Sequence, residues 1–269
     1  SEHIGMIAVH PEDENTVYVA AYGPLWSAGG ERGIYKTTDG GETWDLILEV
    51  SEHTGFNEIH MDPRDPDLLY ATAHQRRRHV FTYIDGGPET AIYKSIDGGA
   101  NWKKLESGLP KNDMGRIGMD ISPANPDVVY AIIKATKNGG FYRSEDRGES
   151  WKKMSDYQTS GNYYQEIVCH PYDVDKVYSM STWLHHTEDG GKNFQKTGEK
   201  SKHVDNHCMW IDPLQPEHWR VGCDGGLYET WNAAEDWMYY PNLPITQFYK
   251  VAVDNDEPFY NVYGGLLYK

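Results

Sequence analysis

Five copies of one short pattern constrain what this chain can fold into. The pattern is Ser or Thr, any residue, Asp, any residue, Gly, two further residues and an aromatic ring. It reads TTDGGETW at 37–44, SIDGGANW at 95–102, SEDRGESW at 144–151, TEDGGKNF at 187–194 and, in altered form, TWNAAEDW at 230–237. A hydroxyl or carboxylate side chain can hold a tight turn by accepting backbone N–H groups, and glycine supplies the positive φ. Each copy therefore predicts a hairpin turn, and we call these five segments the box turns.

A second recurring segment precedes each box turn. A turn rich in Pro, Asp and Asn leads into a β-branched and aromatic run at 10–19, 62–71 and 122–131, and again at 170–179 and 212–221. Together with the apolar run before each such turn, this indicates four antiparallel strands per unit. The box aspartates Asp39, Asp97, Asp146 and Asp189, with Asn232 in fifth place, are 58, 49, 43 and 43 residues apart. That period predicts an all-β chain, a β-propeller of four-stranded antiparallel blades.

We expect residues 1–269 to be a single propeller segment. The predicted blades are 4–50, 55–106, 116–155, 162–196 and 205–240, with the start of a sixth at 246–269. Five blades and a fraction do not obviously close a ring, so we expect further blades of a longer chain, or partner subunits, to complete it. Tandem sandwich domains are the structural alternative, although each needs roughly twice this repeat length.

Composition narrows the function classes. The net charge of −16 disfavours nonspecific nucleic-acid binding, which calls for a basic face. No apolar run approaches the ~18–20 residues of a membrane helix. The imidazoles of His203 and His207 are not on a predicted helix, and we expect neither a bound metal nor a cofactor.

Blade geometry sorts the polar and aromatic residues. Because neighbouring strands are antiparallel, the start of each first strand lies beside the end of the second on one face of the propeller, and the box turns lie on the opposite face. We therefore expect the box aspartates to be structural. The candidates for the first face, here called the channel face, are His53, Glu58, Arg76, Arg116, Tyr163, Tyr164, Trp183, Asp205, His207, Asp224 and Gln247.

Two groups of residues on this face can each be interpreted in two ways, as functional or as structural. Asp205, His207 and Asp224 should lie near one another, either for acid/base work or as a hydrogen-bonded turn network. The predicted loop at 73–91 carries the run Arg76-Arg77-Arg78, which is either a solvated charge run or a contact for an anionic partner.

The box turns resemble the Asp-box, or bacterial neuraminidase repeat. A narrower resemblance, to the large bacterial sortilin-like propeller proteins that are often labelled glycosyl hydrolases, rests on ERGIYK at 31–36, DNH at 205–207, WIDP at 210–213, DGG at 224–226, QFY at 247–249 and VYGG at 262–265. It covers essentially the whole chain. It implies further blades on both sides and an extracytoplasmic location, whether periplasmic, cell-surface or secreted.

Two enzyme families share the repeat. Sialidases clasp a substrate carboxylate with three arginines, but here only Arg116 clearly faces the channel, and Gly118 stands in place of a sialidase-like proline. Xyloglucanase-like enzymes use two aspartates across a cleft between two propellers, a role that Asp224 and Asp205 could fill. The leading hypothesis is nevertheless a noncatalytic cell-envelope module that binds peptide, protein or glycan through Arg116, Tyr163, Tyr164, Trp183, His207 and Asp224. The alternative is a glycoside hydrolase of the xyloglucanase or sialidase-like type, with Asp224 and Asp205 as its carboxylate pair.

Overall fold

Short antiparallel strands account for the regular structure of the chain. The computed structural model describes residues 2–111, 113–243, 248–258 and 261–266, and within these ranges it contains strands, turns and bends but no helix. Five sheets form five blades of a propeller, each built on four antiparallel strands, with a short fifth strand added in blade 2, and a two-stranded hairpin follows them. The predicted fold class is confirmed. No helix that could cross a membrane occurs in the described part of the chain.

Within each blade the strands pair in chain order, starting from the strand nearest the centre. Blade 1 contains β1 (Ile4–Val9), β2 (Val17–Ala21), β3 (Gly33–Thr37) and β4 (Asp45–Leu48). Blade 2 contains β5 (Thr54–Asp62), β6 (Asp65–His79), β8 (Ala91–Ser95) and β9 (Lys103–Leu105), and β7 (Thr82–Asp85) pairs with the far end of β6. Blade 3 contains β10 (Met114–Ile121), β11 (Val129–Ala135), β12 (Gly140–Ser144) and β13 (Lys152–Ser155). Blade 4 contains β14 (Ile167–Cys169), β15 (Val177–Ser179), β16 (His185–Thr187) and β17 (Gln195–Lys196). Blade 5 contains β18 (Asn206–Ile211), β19 (Trp219–Cys223), β20 (Gly226–Thr230) and β21 (Met238–Tyr239), and the final hairpin pairs β22 (Phe248–Val253) with β23 (Val262–Leu266).

The hydrophobic core lies between successive blades. Tyr18 and Ile34 of blade 1 pack against Phe56 and Leu69 of blade 2, and all four are at most 1% exposed. Equivalent clusters join blades 2 and 3, blades 3 and 4, and blades 4 and 5. Alternation along each strand sends every second side chain to one of these layers, which is why the short strands are rich in Val, Ile and Tyr.

Each box turn is held by its own side chains. In blade 2 the hydroxyl of Ser95 donates to Asp97 Oδ1 at 2.8 Å and accepts the backbone N–H of Gly99 at 3.0 Å. Asp97 Oδ1 also accepts the N–H of Asn101 at 2.8 Å. Asn101 Nδ2 also donates to Asp97 Oδ2 at 2.7 Å, and the hydrogen bonds from the side chain and backbone of Asn101 and from Ser95 hold the pKa of Asp97 below its ordinary value.

The box turns also connect neighbouring blades. Tyr18 Oη and Lys36 Nζ of blade 1 both donate to the carbonyl oxygen of Gly98 in the box turn of blade 2, at 3.1 and 3.0 Å. Tyr70 Oη and Lys94 Nζ of blade 2 do the same to the carbonyl of Arg147 in blade 3, at 2.9 and 2.8 Å. We call this repeated arrangement the interblade clasp.

Carboxylates join the first strands of blades 2 to 4. In each case the carboxylate is on the earlier blade and the backbone N–H is on the later one. Glu58 Oε2 on β5 accepts the N–H of Met119 on β10 at 2.8 Å, and Asp120 Oδ2 on β10 accepts the N–H of Cys169 on β14 at 2.7 Å. The backbones of β10 and the segment before β14 approach each other closely at Gly118. A Cβ on Gly118 would lie only 1.4 Å from the carbonyl oxygen of Gln165. Glycine at 118 is therefore a packing requirement of these strands.

Candidate functional site

The channel face is formed by the starts of the first strands and the ends of the second strands. Arg116 lies within a register shift of β10 between Met114 and Ile117, and His207 lies within a register shift of β18 between Asn206 and Cys208. A bulge leaves a residue outside the ladder and turns its side chain away from the regular alternation. The same register shift occurs near the start of the first strand in blades 1 and 2, so the bulge is a shared feature of the blades that in blades 3 and 5 falls at Arg116 and His207.

Asp205, His207 and Asp224 lie in one cluster, together with Tyr164. The hydroxyl of Tyr164 donates to Asp205 Oδ1 at 2.5 Å, and its ring stacks on the imidazole of His207 with centroids 5.4 Å apart. His207 Nε2 is 2.8 Å from Asp224 Oδ1. The backbone N–H of Asp224 also donates to the carbonyl of Asp205 at 3.2 Å, and this bond ties the end of β19 to the residue before β18.

The two aspartates of this cluster are in different surroundings. The side chain of Asp224 is 41% exposed and paired with an equally exposed His207. Asp205 is half-buried, with φ of +63°, and its carboxylate accepts the hydroxyl of Tyr164. Their carboxylates accept from different donors, Tyr164 and His207, and Asp224 remains open to a ligand on this face.

A third acidic residue, Glu166, lies beside this cluster and was missed in the sequence. It precedes β14, and one of its carboxylate oxygens pairs with the guanidinium of Arg116. Burial raises the pKa of Glu166 above its ordinary value; Arg116 acts against this shift and Glu58 adds to it. Its Oε2 is buried and accepts no hydrogen bond from the described residues. The sequence signal was its place directly before a first strand, next to Tyr163 and Tyr164.

Two exposed aromatic rings flank the acidic cluster. Tyr163 is 63% exposed and lies 6.4 Å from the ring of Tyr164. Trp183 is 43% exposed, with Lys196 Nζ 4.1 Å from the centre of its ring. Trp183 follows Thr182, whose carbonyl accepts the N–H of Asp205 at 2.9 Å. Both rings are therefore tied by short chain segments to residues of the acidic cluster.

The remaining candidates fall into two groups. Glu58 is nearly buried and its Oε2 bonds Met119 N–H and His60 Nε2, so it is committed to joining β5 and β10. Arg76 stacks on the ring of Tyr22, 3.5 Å from its centre, and His53 Nδ1 accepts a hydrogen bond from the guanidinium of Arg77 at 2.8 Å. Gln247 lies outside the described residues.

A buried histidine underlies this part of the face. His74 Nδ1 lies 3.3 Å from Tyr22 Oη, and its Nε2 lies 3.4 Å from Asp85 Oδ1. Burial lowers the pKa of His74 to about 4, although Asp85 opposes this shift. Burial also raises the pKa of Tyr22 to about 12, with Arg116 and Arg76 acting in the opposite direction. Arg76 and Arg116 thus act on one buried hydroxyl from blades 2 and 3.

The donor set fits acid/base chemistry better than metal binding. Among the described residues there is no group of three His, Cys, Asp or Glu side chains arranged to hold a metal ion. What the face offers is a buried carboxyl with a raised pKa, two carboxylates in different surroundings, an imidazole and exposed rings. When two carboxyl groups of one site are in different environments, their pKa values differ. One can then be a proton donor while the other is an ionised carboxylate.

Known proteins share this fold and part of this sequence. No family model matches the chain. A probable oligoxyloglucan-reducing end-specific xyloglucanase of Neosartorya fischeri is 25% identical over 207 residues, which covers 68% of this chain and 24% of that protein. A xyloglucanase of a Paenibacillus species is 25% identical over 230 residues, covering 74% of this chain and 21% of that protein. The chain thus spans about a quarter of the length of these curated relatives.

A solved structure extends the likeness over the whole chain. The crystal structure of the GH74 xyloglucanase from Xanthomonas campestris superposes with a TM-score of 0.64 over 98% of this chain and 44% of that one, at 18% identity. At that identity the superposition shows the fold. The two sequence relatives described above, in contrast, are named as xyloglucanases. The expectation of a noncatalytic binding module is therefore wrong, and these relatives favour the hydrolase alternative.

Proposed function

We propose that this chain carries the catalytic face of a glycoside hydrolase that acts on a glucan of the xyloglucan type. The observation that carries the proposal is the meeting of Glu166, Asp205 and Asp224 at one face, each in a different environment. Glycoside hydrolysis needs one protonated carboxyl and one ionised carboxylate on either side of the bond. The xyloglucanase activity named for the sequence relatives supplies the substrate class.

Each carboxyl has a proposed role. Glu166 is the proton donor, because burial raises its pKa and keeps it protonated to higher pH than an exposed glutamate. Asp224 is the ionised carboxylate that acts as base or nucleophile, since it is exposed and faces His207. Asp205, held by Tyr164, is the second carboxylate of the pair predicted from the sequence, and it orients the Tyr164–His207 stack.

Aromatic rings supply the platform for the sugar chain. Tyr163 and Trp183 expose large ring surfaces beside the cluster, and pyranose rings bury their apolar face well on such surfaces. We propose that Arg116, which pairs with Glu166, also donates to sugar hydroxyls. We also propose that protein outside these 269 residues completes the cleft and that the protein works outside the cytoplasm, because the relatives are several times longer and polymeric glucan is an extracellular substrate.

The test is hydrolysis of polymeric xyloglucan by the native full-length protein, followed by reducing-end release and mass spectrometry of the products. We expect Asp224→Asn and Glu166→Gln each to lower kcat by about 10²- to 10⁴-fold, the usual contribution of a positioned acid or base. Glu42→Gln is the matched control, since it removes an exposed carboxylate in the box turn of blade 1.

Two outcomes would contradict the proposal. One is a wild-type protein that binds xyloglucan but releases no new reducing ends. The other is unchanged kcat in both Asp224→Asn and Glu166→Gln while the proteins remain folded. Recovery of the Asp224→Asn variant by added azide, with formation of a glycosyl azide, would support Asp224 as the base or nucleophile on the side of the sugar opposite the leaving group.

A further inference from the structure

The hairpin of β6 and β7 sets blade 2 apart from the other blades. β6 has 15 residues, whereas the second strands of blades 1 and 3 have 5 and 7. The extra length continues onto the channel face and ends in Val80 and Phe81, which are 97% and 88% exposed. The backbone N–H of Arg78 donates to the carbonyl of Leu25 at 2.9 Å and anchors the hairpin to blade 1.

A small pocket lies at the base of this hairpin. Its volume is about 290 Å³, and it is lined by His53, Gln75, Arg76, Arg77, His79 and Ile84. Strand alternation puts Gln75, Arg77 and His79 on the same side of β6, and Arg76, on the other side, reaches the pocket from its edge. Three of the six lining side chains are thus arginine or histidine on one strand. We call this space the arginine pocket.

Positive charge is concentrated here in a strongly acidic chain. The net charge is −16, yet Arg76, Arg77 and Arg78 are consecutive, and none of them forms an ion pair with a carboxylate among the described residues. Arginines elsewhere, such as Arg64 and Arg147, pair with Asp127. Burial lowers the pKa of the neighbouring Arg32, and Arg77 and Arg76 lower it further, as expected where like charges are crowded.

Two guanidinium donors in this hairpin lack an acceptor. Nε of Arg77 and Nε of Arg78 are buried and donate to no atom of the described residues. One terminal nitrogen of Arg77 donates to His53 Nδ1 at 2.8 Å, and the guanidinium of Arg78 stacks on Tyr83, 4.8 Å from the ring centre. A buried donor without an acceptor is costly, and an acidic acceptor from outside the chain would remove that cost.

We infer that the arginine pocket binds a carboxylate or sulfate group carried by a sugar. The guanidinium fork of Arg77 matches the two oxygens of such a group, and His79 and Arg76 provide further donors around it. A volume near 290 Å³ is at the lower end of ligand sites and has room for one substituted sugar unit rather than a long segment.

The pocket belongs to the same face as the acidic cluster. Arg76 covers the ring of Tyr22, and Arg116, the partner of Glu166, acts on the hydroxyl of that same tyrosine. In its identification of the anion as part of a glycan, the inference rests on the proposed function. The hydrolase would then accept, or prefer, a glucan that carries acidic side groups at a distance from the bond to be cleaved.

The experiment is calorimetric titration of the full-length protein with glucuronate, with neutral glucose and with inorganic sulfate, at low and high salt. We expect glucuronate to bind, and binding to weaken at high salt. Arg77→Gln should weaken it by about 10- to 100-fold, the effect of losing a charged hydrogen bond. Arg77→Lys, which keeps the charge but not the fork, should have a glucuronate affinity between those of the wild type and Arg77→Gln. Lys192→Gln should leave the glucuronate affinity unchanged.

The titrations can overturn the proposed role of the arginine pocket in several ways. Binding of glucuronate that is unaffected by Arg77→Gln, or no binding of either anion, would overturn it. Sulfate binding as tight as glucuronate binding would assign the pocket to a free inorganic anion and overturn the sugar assignment. Because the readout is binding, a protein without hydrolase activity that still binds glucuronate through Arg77 would refute the proposed function and leave the arginine pocket standing.

Discussion

The environment of Glu166 sets the direction of a pH effect. Its pKa is raised by burial and lowered by Arg116, so the ion pair works against burial. A proton donor is active only while protonated, so the rate should fall as pH rises through the pKa of Glu166. In Arg116→Gln the lowering contribution is lost and the pKa of Glu166 rises further. We expect the basic limb of the kcat profile to move to higher pH in that variant.

The measurement is kcat against pH for wild type and Arg116→Gln on the same oligosaccharide. Arg64→Gln is a suitable control, because Arg64 pairs with Asp62 and Asp127 at the opposite face. A basic limb that stays in place, or that moves to lower pH, would contradict the assignment of Glu166 as proton donor.

His74 makes a separate prediction about stability. Its folded pKa is about 4, against an ordinary value of 6.5. Below pH 6.5 the unfolded chain takes up the proton first, so the free energy of unfolding should decrease as pH falls from 6.5 towards 4. The decrease from this group is at most about 3 kcal/mol. Denaturant titrations should show it in wild type but not in His74→Gln, with parallel behaviour of the two proteins above pH 7.

Several site residues could be predicted from the sequence because strand direction alone places them. Asp205 precedes a first strand and Asp224 follows a second strand of one blade, so antiparallel pairing brings them together. Glu166 escaped prediction because its importance comes from burial against blades 2 and 3, which depends on tertiary packing. The partner of Tyr164 was likewise not readable, since Asp205 is 41 residues away in the next blade.

At the scale of elements, the box turns form a local fold of their own. The hydroxyl of Ser95 accepts two backbone N–H groups and donates to Asp97, and Ser95 itself is 1% exposed. Ser95→Ala would leave the buried N–H of Gly99 without an acceptor. We expect the free energy of unfolding to fall by about 1–3 kcal/mol, the usual cost of such a group.

Chemical denaturation monitored by tryptophan fluorescence checks this prediction. Ser107→Ala is the control, because Ser107 is exposed and follows the same blade. An equal effect of the two substitutions would show that the hydrogen bonds of Ser95 contribute nothing measurable.

The hairpin of blade 2 is an element that the sequence did not predict. The segment 73–91 was expected to be a loop, but β6 continues through the three arginines to His79 and β7 returns as Thr82–Asp85. Cross-strand pairs such as Arg78 with Tyr83 stabilise the ribbon. Charge obscured the strand pattern, because three successive arginines hide the alternation that normally reveals a β-strand.

At the scale of the whole molecule, the two end blades differ from the middle three. Blade 1 exposes Ile7 (60%) and Trp44 (43%), and blade 5 exposes Trp210 (45%) and Met238 (50%). In the middle blades such faces are covered by a neighbouring sheet. Exposed apolar patches of this kind bind hydrophobic dyes and promote association.

We therefore expect the 269-residue chain alone to bind a hydrophobic dye and to sediment as concentration-dependent oligomers. Ile7→Lys combined with Met238→Lys should decrease both signals. Val80→Lys, which adds a lysine at an exposed apolar residue of the hairpin tip, should have little effect. Unchanged dye binding in the double variant would place the apolar patch elsewhere.

The interblade clasp gives the propeller a direction along the chain. In both clasps the donors are on the earlier blade and the accepting carbonyl is on the later one, as with Tyr18 and Gly98 or Tyr70 and Arg147. During synthesis on the ribosome, a blade can form its own ladder at once, but its phenol and ammonium groups must stay hydrated until the next turn has emerged. That wait is 80 residues for Tyr18 and 77 for Tyr70. A nascent chain paused within that interval would hold, at its growing end, one blade whose clasp has not yet formed.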